Sequence, residues 1–101
     1  MKVAFHEAAA AELDEAVSHY RAIASELGDS FREEAQLGVE RIAERPDAWQ
    51  PLGRGLRRFL MSRFPYGIVF RTHDGEIKVY AVMHLKRRPG YWRKRLKSSR
   101  Q

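Results

Sequence analysis

Residues 56–85 decide the fold of this 101-residue chain, and they run LRRFLMSRFPYGIVFRTHDGEIKVYAVMHL. Three segments rich in β-branched and aromatic residues predict strands at Leu56–Arg63, Tyr66–Thr72 and Ile77–Leu85. The second and third are joined by His73-Asp74-Gly75, which carries the Asp-Gly pattern of a tight hairpin turn. We therefore expect an antiparallel meander of three strands.

Alternation along the third strand predicts which side chains share a face of this sheet. One face is expected to carry Ile77, Val79, Ala81 and Met83, and the opposite face Lys78, Tyr80, Val82 and His84. Helices packed on one face would leave the other open, presenting some of Arg57 or Arg58, Arg63, Arg71 and His84. The register that selects among them is not fixed by the sequence.

The N-terminal part has helical periodicity after a short strand at Lys2–His6. Apolar residues recur every three or four positions from Leu13 to Leu27, and Gly28 stands where a left-handed residue ends a helix. A second helix is expected to open at Asp29-Ser30, because Ser30 and Glu33 have the spacing of a capping box, and to stop at Pro46. The short break predicts an antiparallel helical hairpin, followed by a loop over residues 46–55.

The predicted order is β-α-α-β-β-β, an α+β fold in a single domain over residues 1–101, with a basic C-terminal tail. Trp92 and Leu96 stand four apart in that tail, which is compatible with a short helix or an ordered stub. The sequence leaves open whether residues 96–101 are ordered.

Charge is distributed unevenly along the chain. Residues 1–45 carry ten acidic and five basic side chains, whereas residues 46–101 carry three acidic and fourteen basic ones, for a net charge of +6. This split indicates a surface that meets a polyanion or an acidic protein segment, the alternative being a solvated basic surface.

Several chemistries are poorly supported by the sequence. The chain has no cysteine, so disulfides and thiolate metal sites are excluded, and its four histidines lack the spacing of a metal site. No glycine-rich phosphate loop and no nucleophile elbow is present. From these absences we expect no metal and no cofactor. No signal peptide and no long apolar run is seen, so we also expect no membrane partner and a cytoplasmic location.

Three motifs resemble those of a known toxin superfamily. They are Phe64-Pro65-Tyr66 followed by Gly67-Ile68-Val69-Phe70, the long strand Ile77–His84, and the ending His84-x-x-Arg87-x-Pro89-x-Tyr91-Trp92-x-x-Arg95. They resemble the RelE/ParE superfamily, and the ending is closest to its ParE-like, plasmid-stabilisation members. The resemblance implies the toxin of a type II toxin–antitoxin system, which inhibits growth unless a cognate antitoxin neutralises it.

The superfamily divides by target, and the resemblance leaves two targets open. ParE-like members inhibit DNA gyrase without known catalysis of their own, whereas RelE-like members cut messenger RNA on the ribosome without a metal. Whether the protein is an enzyme depends on this choice. The ParE-like interpretation is preferred because the ending from His84 to Trp92 fits it better.

A ribonuclease would need a proton acceptor, cations for the phosphate and a proton donor. His84 is the candidate acid or base, with Arg58, Arg63 or Arg87 holding the phosphate and Tyr91 stacking or donating a proton. No Glu lies within the predicted meander strands to act as an alternative base. For His84 the structural alternative is a strand-end histidine that bonds to backbone or packs on Tyr80.

The gyrase interpretation needs only a binding surface. The candidate contacts to the target or to the antitoxin are Arg57, Arg71, Lys86, Arg88, Trp92, Arg93 and Arg95. For Trp92 the structural alternative is a cap on the sheet near Phe64.

A third hypothesis, a non-toxic nucleic-acid-binding module, rests on the charge split and the aromatic residues. Toxicity on induction, relieved by a neighbouring gene, would eliminate it.

Overall fold

Two long helices lie against one face of a five-stranded sheet in the computed structural model, which describes residues 1–98. The elements are β1 (Lys2–Phe5), α1 (Glu7–Ile23), α2 (Ser25–Glu44), β2 (Gln50–Gly53), β3 (Leu56–Leu60), β4 (Tyr66–His73), β5 (Glu76–His84), a 3-10 turn (Tyr91–Lys94) and α3 (Arg95–Ser98). The strand order is β1-β5-β4-β3-β2, with β1 parallel to β5 and all other pairs antiparallel. The α+β class and the predicted order of elements are confirmed.

The predicted loop over residues 46–55 contains an additional strand, β2, so the meander has four strands. Its hairpin with β3 turns at Arg54-Gly55, where φ is 57° and 77°, and the predicted turn at Asp74-Gly75 has φ of 51° and 75°. Positive φ at both central residues is what two-residue hairpins of the type I′ class require. Arg54 replaces the usual Asn or Asp, which is why the first hairpin was missed.

The break between the helices was predicted in the wrong place. It is a single extended residue, Ala24, with φ −159° and ψ 137°, and α2 then begins at Ser25. Gly28 therefore lies inside α2, where a Cβ would stand 2.8 Å from Cβ of Arg21 and 3.0 Å from the carbonyl oxygen of Val17. The glycine allows α1 and α2 to approach closely, and it ends no helix. Ser30 and Glu33 likewise lie within α2 and form no cap.

A β-bulge corrects the predicted faces of β5. Val69 pairs with Ala81 while the next residue, Phe70, pairs with Val79, so Tyr80 is an extra residue in its strand. A bulge reverses the alternation beyond it. Ile77, Val79 and Val82 accordingly share one core, and Tyr80, Ala81 and Met83 share the other.

Both faces of the sheet carry a buried core, so the prediction of one open face was wrong. The inner core, beneath the helices, includes Phe31, Ile42, Phe59, Ile68 and Phe70. The outer core consists of Leu56, Val69, Tyr80, Ala81, Met83 and Trp92, with Leu52, Tyr91 and Leu96 packed against it. The C-terminal segment, residues 85–98, packs on this second face through Tyr91, Trp92 and Leu96. Residues 96–98 lie in α3, and residues 99–101 are outside the described part of the chain.

Candidate functional site

Glu12, on the second turn of α1, is the residue on which the C-terminal segment converges. Its Oε1 accepts hydrogen bonds from the Val82 N–H at 3.0 Å and from Nη1 of Arg95 at 2.9 Å. Its Oε2 accepts from the Tyr91 hydroxyl at 2.6 Å and from Nη2 of Arg95 at 2.9 Å. Nη1 of Arg87 lies 3.6 Å from the same oxygen. The Glu12 side chain is only 12% exposed, so this is a largely buried ion pair.

The position of this ion pair follows from the length of β1. Because β1 ends at Phe5, it pairs with β5 only as far as Val79 and leaves the edge beyond it without a neighbouring strand. Glu12 accepts the Val82 N–H of that edge, and Nη1 of Arg95 donates to the Tyr80 carbonyl at 2.9 Å. The two side chains thus satisfy backbone groups that an exposed strand edge would leave unpaired.

The protonation states of the ion pair are set by the same contacts. Burial alone would raise the pKa of Glu12, but hydrogen bonds from Arg95, Tyr91 and Val82 outweigh it and hold that pKa below its ordinary value. The hydrogen bond to Glu12 raises the pKa of Arg95. Burial, together with the hydrogen bond to Glu12, strongly raises the pKa of Tyr91. Glu12 is therefore ionised and Tyr91 is held as a neutral hydrogen-bond donor.

The rest of the C-terminal motif is also engaged in internal contacts. The Arg87 guanidinium stacks on the Tyr91 ring with its Cζ 3.7 Å from the ring centre, and Cζ of Arg95 lies 5.1 Å from the same ring. Trp92 is 3% exposed and packs in the outer core, not near Phe64, which belongs to the inner core. In this conformation the motif fastens the C-terminal segment to the sheet, and a partner-contact role for its residues stays a prediction.

His84 is the last residue of β5 and lies on the side of α1. Its Nδ1 accepts the Lys86 N–H at 3.0 Å, and its ring centre is 5.1 Å from that of Tyr66, not against Tyr80. With Arg87, Glu15 and His19 it borders a shallow depression of about 300 Å³. Burial raises the pKa of Tyr66 beside it. His84 therefore has the backbone bond of a strand-end histidine, and its other ring nitrogen is not engaged in any hydrogen bond within residues 1–98.

Arg63 lies in the loop between β3 and β4, which a second helical carboxylate organises. Oε1 of Glu34, on α2, accepts the backbone N–H groups of Ser62 at 3.0 Å and of Arg63 at 2.8 Å. Nε of Arg63 is 3.9 Å from Oε2 of Glu34, and the Arg63 side chain is 64% exposed. Arg63 is thereby placed against α2, away from the C-terminal segment.

The three strand arginines divide between the two faces. Arg58 is paired with Val69 of the outer core, extends across Gly67, and donates from Nη2 to Oε1 of Gln50 at 2.9 Å. Arg71 is also on the outer face, where Nη2 donates to the Tyr80 hydroxyl at 3.3 Å. Arg57 is paired with Phe70 of the inner core and donates to the Trp49 carbonyl at 2.8 Å.

Lys86, Arg88 and Arg93 are the most accessible of the predicted contact residues. All three are exposed, and within residues 1–98 none of them forms an ion pair. Cζ of Arg93 lies 5.3 Å from the Trp92 ring. Their charges are available to a partner.

Glu12 and Glu34 are the residues that sequence reasoning missed. Neither carboxylate lies in a predicted strand; both come from the helices, where charged residues ordinarily face solvent. For Glu12 a signal existed: it shares a helical face with Ala9 and Ala16, which are buried, and a charged residue on a buried face needs a partner.

Residues 1–98 contain no group of three or more His, Asp or Glu side chains placed to hold a metal ion. None of the helices among them is long and apolar enough to cross a membrane.

Comparison with known proteins identifies the class to which this arrangement belongs. The family model described as the ParE toxin of type II toxin–antitoxin system, parDE, matches residues 3–89. The chain therefore belongs to the ParE toxin family, within the RelE/ParE superfamily that its motifs resemble, and is the toxin component of a type II toxin–antitoxin system. Tyr91 and Arg95 lie beyond the matched residues.

A solved structure, described as the chromosomal ParDE TA system from P. aeruginosa, has a similar fold. Its TM-score is 0.65 at 23% sequence identity, and the match covers 85% of this chain and 97% of that one. At this identity the likeness concerns the fold. No curated protein sequence matches the chain.

Proposed function

We propose that the protein inhibits DNA gyrase by binding to it, and that its cognate antitoxin prevents this inhibition. Membership of the ParE toxin family supports the toxin role and the existence of an antitoxin partner. Gyrase is the target that the ParE-like ending of the sequence implies. Such an activity requires a binding surface and no catalytic group.

The observation that carries the proposal is the separation of the residues a ribonuclease would need. Arg58 lies on the outer face of the sheet, His84 lies beside α1, and Arg63 lies against Glu34 of α2. Acid–base catalysis on one phosphate requires its groups to converge within hydrogen-bonding reach of the same atoms. The separation of these three side chains supports a binding function.

The other two candidates for the ribonuclease, Tyr91 and Arg87, are engaged in contacts within the protein. Tyr91 donates its hydroxyl to Glu12, and its raised pKa makes it a poorer proton donor than a free phenol. Arg87 is stacked on Tyr91 and lies 3.6 Å from Glu12, so part of its charge is already compensated. Both contacts favour a structural role for these side chains.

One feature favours the ribonuclease as the second candidate. His84 and Arg87 border the same depression on the α1 side, where a proton acceptor and a cation are neighbours. A messenger RNA bound there would be handled by these two residues with Tyr66, without Arg58 or Arg63. The non-toxic nucleic-acid-binding module has no comparable support once the family is known.

Induction of the chain in growing cells, with DNA and protein synthesis followed separately, tests the proposal. We expect an early DNA-damage response and loss of DNA synthesis while messages stay intact, relieved by co-expression of the antitoxin. Addition of the purified protein should also block supercoiling by gyrase in vitro. Early loss of translation with cleaved messages would overturn the gyrase proposal.

The double variant His84→Ala, Arg63→Ala distinguishes gyrase inhibition from RNA cleavage. If gyrase binding is the activity, the double variant keeps most of its toxicity, because neither side chain is part of the core. If RNA cleavage is the activity, it becomes non-toxic, since a general acid or base contributes about 10²–10⁴-fold to such a rate. Thermal unfolding of the purified variant shows whether it is folded.

A further inference from the structure

The outer face of the sheet ends in a pair of like charges at the β4–β5 hairpin. Arg71 and Lys78 are directly paired across the two strands, and both lie on the outer face, where Arg71 contacts Tyr80. Like charges in this arrangement destabilise a sheet. Their proximity therefore has a cost to folding that an anion bound between them would remove.

No carboxylate of the described residues lies within ion-pairing distance of these cations. Within the described residues Arg71, Lys78 and Arg58 form no ion pair, whereas Arg21, Arg32, Arg63, Arg87 and Arg95 each lie within 4 Å of a carboxylate. Asp74 and Glu76 border the same region, but neither carboxylate lies within 4 Å of Arg71 or Lys78. With Arg58, the cations on this part of the outer face outnumber these two carboxylates.

The Arg71 guanidinium is held in place by Tyr80. Its Nη2 donates to the tyrosine hydroxyl at 3.3 Å, and its Cζ lies 5.5 Å from the centre of the ring. Arg71, Lys78 and Tyr80 border an open depression of about 680 Å³, which Asp74 and Glu76 also border. A positioned guanidinium beside a flexible ammonium is a pairing that suits a phosphate group.

We propose that this outer face binds the phosphate backbone of duplex DNA, with Arg71 and Lys78 as the central contacts. Further cations lie on this face or on the segment that packs against it: Arg58 on β3, and the exposed Arg93, Lys94 and Lys97 on the C-terminal segment. The C-terminal segment packs on the same face through Trp92 and Leu96. Several phosphates of one duplex could therefore be contacted at once. This inference goes beyond the gyrase proposal, because it concerns DNA binding by the toxin alone.

Burial on this face argues for a duplex over two other anionic partners. Single-stranded nucleic acid is bound largely by stacking on exposed aromatic rings, and Tyr80 and Trp92 are each only 3% exposed. Protein partners are anchored by accessible apolar or aromatic side chains, whereas Leu56, Val69 and Met83 are buried here. Contacts to duplex phosphates need only charges at the surface.

The test is a titration of a fluorescent duplex of about 20 base pairs with the full-length toxin over a series of salt concentrations. The logarithm of the association constant should fall linearly with the logarithm of the salt concentration. In the double variant Arg71→Gln, Lys78→Gln we expect a slope smaller by about two and at least about tenfold weaker binding at low salt. Gyrase is absent from this assay, so its failure is distinguishable from failure of the gyrase proposal.

The matched control is Arg41→Gln, Arg45→Gln, which removes the same charge from exposed positions at the end of α2. It should keep the slope of the unmodified protein. Equal losses in both double variants would overturn the proposal, and so would the absence of duplex binding by the unmodified toxin. Tighter binding of a single strand of equal length, or of a poly-glutamate peptide of equal charge, would assign the face to those partners instead. Thermal unfolding confirms that both variants are folded.

Discussion

Glu12 accepts four hydrogen bonds from three donor residues: Val82 at the edge of β5, and Tyr91 and Arg95 of the C-terminal segment. The carboxylate and the guanidinium are 12% and 16% exposed, so each would be costly to bury alone. Removing one partner should therefore destabilise the fold, because the other partner stays buried without its counter-charge.

Replacing Glu12 with Gln should lower the free energy of unfolding by about 2–4 kcal/mol, because Arg95 loses its counter-charge while still buried. Urea denaturation measures the change. The control is Asp14→Asn on the same helix, where the carboxylate is 71% exposed and its removal should cost less than about 0.5 kcal/mol. Equal effects of the two substitutions would show that the Glu12 contacts do not stabilise the fold.

The loss of stability in Glu12→Gln should depend on pH, and the direction of that dependence follows from the pKa of Glu12. Because the pKa of Glu12 is lower in the folded protein than its ordinary value of 4.5, its stabilisation is fully present above that value. It is lost as the pH falls through the lower, folded-state pKa. The stability difference between the unmodified protein and Glu12→Gln should accordingly be constant near neutrality and shrink below about pH 4.5. A difference that grew on acidification would contradict the ionised state assigned to Glu12.

At the scale of the elements, the contact between α1 and α2 depends on a residue without a side chain. Gly28 of α2 faces Val17 and Arg21 of α1 so closely that a Cβ would overlap Cβ of Arg21 and crowd the Val17 carbonyl. The one-residue connection through Ala24 leaves no slack for the helices to separate. Alanine, which ordinarily favours a helix over glycine, is unfavourable at this position.

Gly28→Ala should therefore destabilise the protein by about 1–3 kcal/mol, the usual cost of overpacking. Thermal or urea unfolding measures it. Gln36→Ala, at an exposed position of the same helix, is the control and should be neutral or slightly stabilising. Stabilisation by Gly28→Ala would show that α1 and α2 do not approach closely at this position.

At the scale of the whole molecule, the chain forms three layers: the helices, the sheet, and the C-terminal segment. Ten of the thirteen acidic residues precede residue 46, and the basic residues are concentrated in the strands and the C-terminal segment. The fold converts this division along the chain into an acidic helical side and a basic outer face. Glu12 of α1 connects the two sides through its hydrogen bonds with Tyr91 and Arg95 of the C-terminal segment.

Trp92 of the C-terminal segment is buried in the outer core of the sheet, so Trp92→Ala should remove about 3–5 kcal/mol of stability. In a protein of this size that is a large part of the usual total of about 5–15 kcal/mol. Chemical denaturation measures the loss, and Leu85→Ala, at a position 41% exposed, is the control. A negligible loss for Trp92→Ala would show that the segment is not packed on the sheet in solution.

The sequence by itself determined the elements and the family. Periodicity located both helices and four of the five strands, Asp74-Gly75 specified a hairpin, and the motifs between Phe64 and Arg95 indicated the toxin superfamily. These features are local, because backbone preference and the alternation of side chains act over a few residues. The positions of cations on β3 and β4 were visible, but not which face each would occupy.

Only the tertiary structure decided how those elements are joined. The bulge at Tyr80 exchanged the faces of half of β5, and Gly28 turned out to serve the packing of α1 against α2. Glu12 and Arg95 are 83 residues apart in the sequence, and their pairing follows from β1 being too short to cover the edge of β5. The C-terminal motif that identified the toxin class is engaged in that pairing. Strand length, register and long-range contact are properties of the packed chain, and no local pattern encodes them.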